Sequence, residues 1–276
     1  TRSCRTTGGS EMQDGTYLSQ TLSLVVRELK HWYRSRMQMF MVVIQPLIWL
    51  GLFGFAMNGL MSQFATGLDY FSFLALGMVI ITALTTSMNA GMSLIWDRRF
   101  GFLDKLKAAP VPRGVIPLSK VLATTVKAVV QSLLVLVIAL FLGLSPDGLS
   151  AVSILTIVAT VVCVALTFSS IFVAMGLMIK SQEVLMGVNM LLNLPLMFAS
   201  GAMFPTTALP DALKIIANGN PLTYAADAIR QSWGGMDQMI SVTGLSLGQD
   251  LTIMALIAVA VTLAGMFFAR RALKME

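Results

Sequence analysis

Six continuous apolar runs constrain this chain more than any other feature, because each approaches the ~20 residues an α-helix needs to cross the hydrocarbon core of a bilayer. They read Met37 to Gly59, Tyr70 to Ile95, Leu118 to Leu142, Ala151 to Ile179, Val184 to Phe204 and Leu251 to Ala269. Membrane β-strands would instead alternate apolar and polar positions over about 10 residues. These runs do not alternate, so each must satisfy its backbone hydrogen bonds within its own segment, as a helix does. Only 12% of the 276 residues are charged, against roughly a quarter in soluble domains, and the mean hydropathy is +0.80. The expected fold class is an all-α integral membrane protein with six transmembrane helices. Cys4 and Cys163 lie too far apart in the chain to read as a disulfide scaffold.

The first run follows a charged segment and precedes no small-residue cleavage site, so it is expected to stay as an anchor rather than be removed. Residues 1–15, rich in Thr, Gly and Ser, are expected to be a disordered tail or expression remnant. Residues 16–36 are expected to form an amphipathic interfacial helix, and 37–276 the six-helix domain.

Basic residues close to a membrane resist translocation. Of the 19 Lys and Arg residues, only Lys214 and Arg230 fall on one side of the six-span plan. The rest flank the other side, so both termini are expected in the cytoplasm. This dispersal along membrane flanks explains the net charge of +6 and argues against nucleic acid as a partner.

Ahead of the first run, Leu18, Leu22, Val25, Leu29 and Trp32 recur at helical steps, while Arg27, Lys30, His31 and Arg34 take another face. Such a helix lies at the membrane interface near anionic headgroups. It serves either as a topology anchor or as a lever touching a cytoplasmic partner. His31 is the only histidine, and without other ligands it completes no metal site.

The connection from Trp96 to Pro117 reads WDRRFGFLDKLKAAPVPRGVIP. Phe102, Leu103 and Leu106 can share the apolar side of a short helix, with Asp104, Lys105 and Lys107 turned elsewhere and Pro110 and Pro112 ending it. Exposed apolar residues there either dock into something or face the membrane as a plain loop.

Trp96 to Leu103, followed by Ala109-Pro110-Val111-Pro112-Arg113, resembles the coupling-helix loop of ABC type-2 exporter permeases, in particular the daunorubicin-resistance branch. Phe198 to Pro205 and Asn220 to Tyr224 resemble that family's end of helix five and the extracellular motif after it. Arg99 departs from the pattern, since an acidic residue is expected in the coupling loop. The resemblance runs from about Tyr17 to Lys274 and is carried by the conjunction of motifs. It implies a permease subunit of an exporter, paired with two cytoplasmic ATP-binding subunits and a second permease copy, in a prokaryotic plasma membrane. Phe100, Gly101, Phe102, Leu103, Asp104, Lys105, Leu106 and Lys107 would then couple to the ATPase.

No G-x-x-x-x-G-K-[ST] phosphate loop occurs in the sequence. No cofactor is therefore expected in this chain, and ATP and Mg are expected in the partner. Proton-driven carriers need an ionisable group within the membrane, yet Asp69, Asp97, Glu183 and Asp250 all sit at span borders. Lys120 and Lys127 are expected to snorkel to the cytoplasmic end, with a substrate contact as the alternative. A secondary carrier is the alternative. A membrane enzyme fares worse, because no nucleophile has a plausible His base and no carboxylates pair for metal-assisted chemistry. Cys163 reads as a packing thiol.

Thr82, Thr85, Thr86, Asn89 and Ser93 follow helical spacing in the second span, and Asn189 and Asn193 lie one turn apart in the fifth. Buried amides in lipid need partners. Thr82, Thr86, Asn89, Asn189 and Asn193 therefore serve either as glue between helices or as a substrate path. Between the last two spans, Leu209 to Ala217 and Pro221 to Trp233 read as two helices too short to cross, with Asn220 capping the second. The resemblance makes them a re-entrant hairpin with Asn220, Pro221 and Tyr224 at an extracellular gate; otherwise they lie flat on the membrane. Asp227 and Arg230 are expected to pair on a wetter side of the second helix.

Overall fold

The computed structural model describes residues 9–57, 70–108, 112–204, 211–233 and 244–275. Among them all regular structure is helical. The order is α1 (Gly9–Arg34), α2 (Arg36–Trp49), α3 (Tyr70–Arg99), α4 (Phe102–Ala108), α5 (Val115–Leu142), α6 (Ala151–Met178), α7 (Gln182–Phe198), α8 (Asp211–Gly219), α9 (Pro221–Ser232) and α10 (Leu247–Met275).

Among the described residues, four helices are long and apolar enough to cross a membrane: α3, α5, α6 and α10. The other two expected runs take different forms. After Trp49, α2 passes into a π-helical stretch, Leu50–Gly54, beyond a proline at position 46 that removes one backbone donor. The last two residues of that run, Asn58 and Gly59, lie outside the described residues. α7 stops at Phe198, short of Phe204, where the Ala199 amide closes on the Pro195 carbonyl and Gly201 turns the chain with φ +69°. α1 starts at Gly9, inside the stretch expected to be a tail, and ends at Arg34.

α3 is the hub. It is buried on nearly every side, packed by α5, α6, α7 and α9. With lipid as apolar as leucine, close backbone approach holds such helices together. A Cβ on Gly91 would lie 2.3 Å from the Phe172 carbonyl oxygen, and one on Gly176 would lie 2.4 Å from that of Gly91. Two bare backbones therefore touch where α3 crosses α6. Gly77 is equally tight against the Ala202 carbonyl. α7 is exposed along most of its length, burying only Leu185 and Met197.

The inward face of α1 differs from the apolar stripe read in the sequence. Thr21, Val25 and Trp32 are buried, whereas Leu18 and Leu22 are exposed. The helix is rotated so that Glu28 joins the inner face, at helical steps from Val25 and Trp32.

Candidate functional site

α4 hangs directly below α3. Gly101, with φ +67°, supplies the left-handed turn that separates the two helices, a conformation that costs glycine little. The Lys105 amide then donates to the Gly101 carbonyl. Leu103 is only 1% exposed, in a cluster with Leu94, Ile116, Leu177 and Leu273. Leu106 packs against the same cluster. Phe102 is covered by the guanidinium of Arg27, 3.4 Å from its ring centroid. Leu103 is thus turned inward rather than presented to a partner, while Phe102 and Leu106 are half-buried against their own chain. Exposed instead are Phe100, at 78%, and Trp96, at 50%, set edge to face with centroids 6.5 Å apart. Asp104 and Lys105 are exposed, and the side chain of Lys107 lies outside the described residues, as do Ala109, Pro110 and Val111.

Arginines tie this end to the helix termini around it. Arg98 Nη2 donates to the Leu177 carbonyl at 2.9 Å, and Arg113 Nη1 donates to the Leu273 carbonyl at 3.2 Å. Both acceptors belong to last turns, whose carbonyls lack helical partners and favour cations. Arg99 Nη1 donates to Gln182 Oε1 at 2.8 Å.

Lys120 and Lys127 do not snorkel. Lys120 Nζ lies 2.5 Å from both Glu28 Oε1 and Asp97 Oδ2, and Lys127 Nζ lies 3.6 Å from Glu28 Oε2. Two carboxylates and two ammonium groups thus neutralise one another between α1, α3 and α5. Burial alone would raise the Glu28 pKa. Lys120, through charge and hydrogen bond, with Lys127 and Arg27, outweighs it and holds the carboxyl below its ordinary value. An unpaired charge in such surroundings would be costly, which is why the network closes on itself.

The polar residues of α3 and α7 do not converge on one space. Thr82 Oγ1 donates to the Met78 carbonyl in its own helix. Thr86 Oγ1 reaches across to Gln131 Oε1 of α5 at 2.5 Å. Asn89 is exposed and donates to the Thr85 carbonyl. Asn189 Nδ2 meets the Met88 carbonyl at 3.5 Å, and among the described residues the buried Oδ1 atoms of Asn189 and Asn193 have no hydrogen-bond partner. Thr86 and Asn189 therefore bridge helices, while Asn89 and Asn193 keep spare capacity. Sequence reading missed Gln131, whose amide sits beside Ser132 in an otherwise apolar stretch of α5.

At the Tyr70 end of α3, Asn220 caps α9. Its Oδ1 accepts from the Leu222 amide at 3.1 Å, and its Nδ2 donates to the Leu196 carbonyl of α7 at 3.0 Å. Pro221 takes the first helical position. Tyr224 donates to the Asn218 carbonyl at 2.8 Å, fastening α9 to α8. Every residue of α9 from Leu222 to Arg230, except Tyr224, is buried, because α9 packs against α3, α6 and α10. The expected wetter side for Asp227 and Arg230 does not exist, and both are buried. Arg230 Nη1 donates to the Gly201 carbonyl at 2.9 Å and Nη2 to that of Ala202 at 3.0 Å. Tyr70 Oη donates to the Met203 carbonyl at 3.1 Å. α8 spans Asp211–Gly219, and Leu209 and Pro210, expected to open it, lie outside the described residues.

Long apolar helices gathered on a central one, with short helices folded against both of its ends, define a multi-pass helical membrane protein. The chain belongs to the ABC-2 type transporter family, whose model matches residues 19–233. It is 31% identical over 241 residues to a protein of Porphyra purpurea named as transport permease ycf38, covering 84% of this chain and 82% of that one. It is 23% identical over 227 residues to the daunorubicin resistance ABC transporter permease DrrB1 of Streptomyces coeruleorubidus, covering 82% and 79%. With nodulation protein J of Bradyrhizobium diazoefficiens it shares 27% identity over 184 residues, covering 65% and 68%. The protein is accordingly a transmembrane permease component of an ABC transporter, a class that works with an ATP-binding subunit.

Proposed function

We propose that this chain is the membrane half of an exporter that moves a hydrophobic or amphiphilic substrate, whether drug, lipid or glycan, out of the cytoplasm or inner leaflet. Two copies of a cytoplasmic ATP-binding subunit drive alternating access, with ATP and Mg held there, and a second permease copy completes the transporter as a homodimer or heterodimer. In this reading the chain crosses a prokaryotic plasma membrane six times with both termini inside. α2 with its π-helical continuation supplies the first crossing and α7 the fifth. α1 lies among the lipid headgroups.

The observation that carries the reading is the exposed aromatic pair Trp96 and Phe100 beside an α4 whose inner face is already seated on its own bundle. Such a rigidly backed apolar knob needs a partner to cover it, and charged Asp104 and Lys105 rim it. α4 is the coupling helix, with contact centred on Phe100 and Gly101. The resistance function in the name of the Streptomyces relative favours an amphiphilic cargo. Asn89, Asn189 and Asn193, with unspent polar capacity, line its path beside Thr82 and Thr86. Asn220, Pro221, Tyr224 and Arg230 form the extracellular gate.

The test is co-expression with candidate ATP-binding subunits. The expected result is a stable complex that hydrolyses ATP, while the purified permease alone does not. Hydrolysis by the lone clean chain, or failure of every candidate to copurify, would overturn the reading.

A further inference from the structure

Neighbouring positions on a helix point about 100° apart, so two consecutive side chains reach different elements. On α1 the consecutive pair is Arg27 and Glu28. Arg27 lies over the Phe102 ring of α4 at 3.4 Å, and Glu28 meets Lys120 of α5 at 2.5 Å. Lys120 in turn meets Asp97, five residues before Phe102 on the helix from which α4 hangs. The loop of contacts closes: α4 to Arg27, Glu28 to α5, α5 to Asp97 of α3, and α3 back to α4.

We infer that Arg27 and Glu28 act together as a transmission clamp, two positioning residues that bind the coupling helix to α5 so that a nucleotide-driven displacement of α4 carries α1 and α5 with it. The inference rests on the proposed coupling role of α4. A mere anchor would be served as well by apolar packing, since buried ion pairs are replaceable by well-packed hydrophobic residues without loss of stability. What an ion pair adds is resistance to partial separation. Drawing Glu28 away from Lys120 while both stay buried costs each its contact at 2.5 Å, leaving Lys120 to Asp97 alone and Glu28 to Lys127 and Arg27 at 3.6 and 3.8 Å, so the elements move jointly. Val25 and Trp32, buried one turn to either side on the same face, hold α1 against slippage past α5.

The permease is reconstituted in nanodiscs with the ATP-binding subunit that copurifies with it, and a spin label is placed by Leu149→Cys in a Cys4→Ser, Cys163→Ser background. Leu149 is exposed, between α5 and α6 at the end remote from α4. The wild type is expected to change its line shape when ATP, Mg and vanadate trap the complex. Glu28→Gln is expected to keep complex formation and hydrolysis within about twofold, yet to shrink the line-shape change by about fivefold. Glu28→Asp, which keeps the charge, is expected to restore most of it. Arg27→Gln replaces a half-exposed side chain, tolerates folding, and is expected to match Glu28→Gln. A full line-shape change in both Gln variants overturns the clamp, and so does loss of the complex itself in both, which would make them assembly residues. A wild type that copurifies with no ATPase, or gives no response to vanadate, sinks the proposed function and the clamp with it.

Discussion

The guanidinium carbon of Arg230 sits 3.6 Å from the centroid of the Phe73 ring, and Arg230 Nη2 also reaches the Phe73 carbonyl at 3.4 Å. One side chain therefore joins α9 to the first turn of α3 and to the Gly201–Ala202 turn after α7. Lysine lacks the planar fork that serves several acceptors at once. Arg230→Lys is expected to lower stability by about 2 kcal/mol, because buried carbonyls lose their donors. Thermal unfolding in detergent, together with faster labelling of Ala225→Cys by a membrane-impermeant thiol reagent, checks this. In the wild-type background, cysteines at Ala225 and Asp227 are both expected to be protected. Fast labelling at Asp227 alone would contradict the buried position of α9.

Asn220→Ala removes both the α9 cap and the bond to the Leu196 carbonyl. A lost cap costs about 1 kcal/mol, and the stranded α7 carbonyl adds to it. Asn220→Asp keeps the acceptor for Leu222 and is expected to recover the cap alone. Melting temperatures ordered wild type, Asp, Ala would support this division, and equal values for the two variants would refute it.

The two apolar roles on the α4 connection separate by mutation. Leu103→Asp buries an unpaired carboxylate and is expected to cost several kcal/mol, seen as loss of folded protein by size-exclusion chromatography. Phe100→Asp touches a side chain that is 78% exposed and is expected to leave the melting temperature unchanged while weakening copurification with the ATP-binding subunit. Normal complex yield from Phe100→Asp would show that the knob is not the contact.

Glu28 sets an acid limit on the α1–α5 junction. Its folded pKa lies below the ordinary value of 4.5, so its stabilising contribution is fully present above that value. It fades as pH falls through the folded pKa. The surrounding charges are Lys120, Lys127, Arg27 and Asp97. Melting curves from neutral pH down past 4.5 are expected to fall more steeply for wild type than for Glu28→Gln. Parallel curves would remove Glu28 from the acid limb.

Hydropathy made α3, α5, α6 and α10 legible, because a helix that buries or greases every side leaves a continuous run. The short helices were legible through their punctuation: Asn220-Pro221 opens α9, and α4 lies just ahead of the proline pair. What stayed hidden were long-range pairings. Glu28 and Lys120 are 92 positions apart, and a stripe drawn only through apolar residues passes beside the acid that faces inward. Arg230 looked solvated because its acceptors are backbone carbonyls, which no residue type advertises. The inward turn of Leu103 and Leu106 was invisible for the same reason, since the cluster that receives them comes from α3, α5, α6 and α10.

The glycine contact between α3 and α6 has a mechanical consequence. Where Gly91 meets Gly176 no side chain stands between the two backbones, so the crossing is a point of close support. Measured along α3 at 1.5 Å per residue, Gly91 stands about 12 Å from Arg99 and about 31 Å from Tyr70. A tilt about that fulcrum multiplies a displacement at the Arg99 end about 2.6-fold at the Tyr70 end, where Phe73 bears on Arg230.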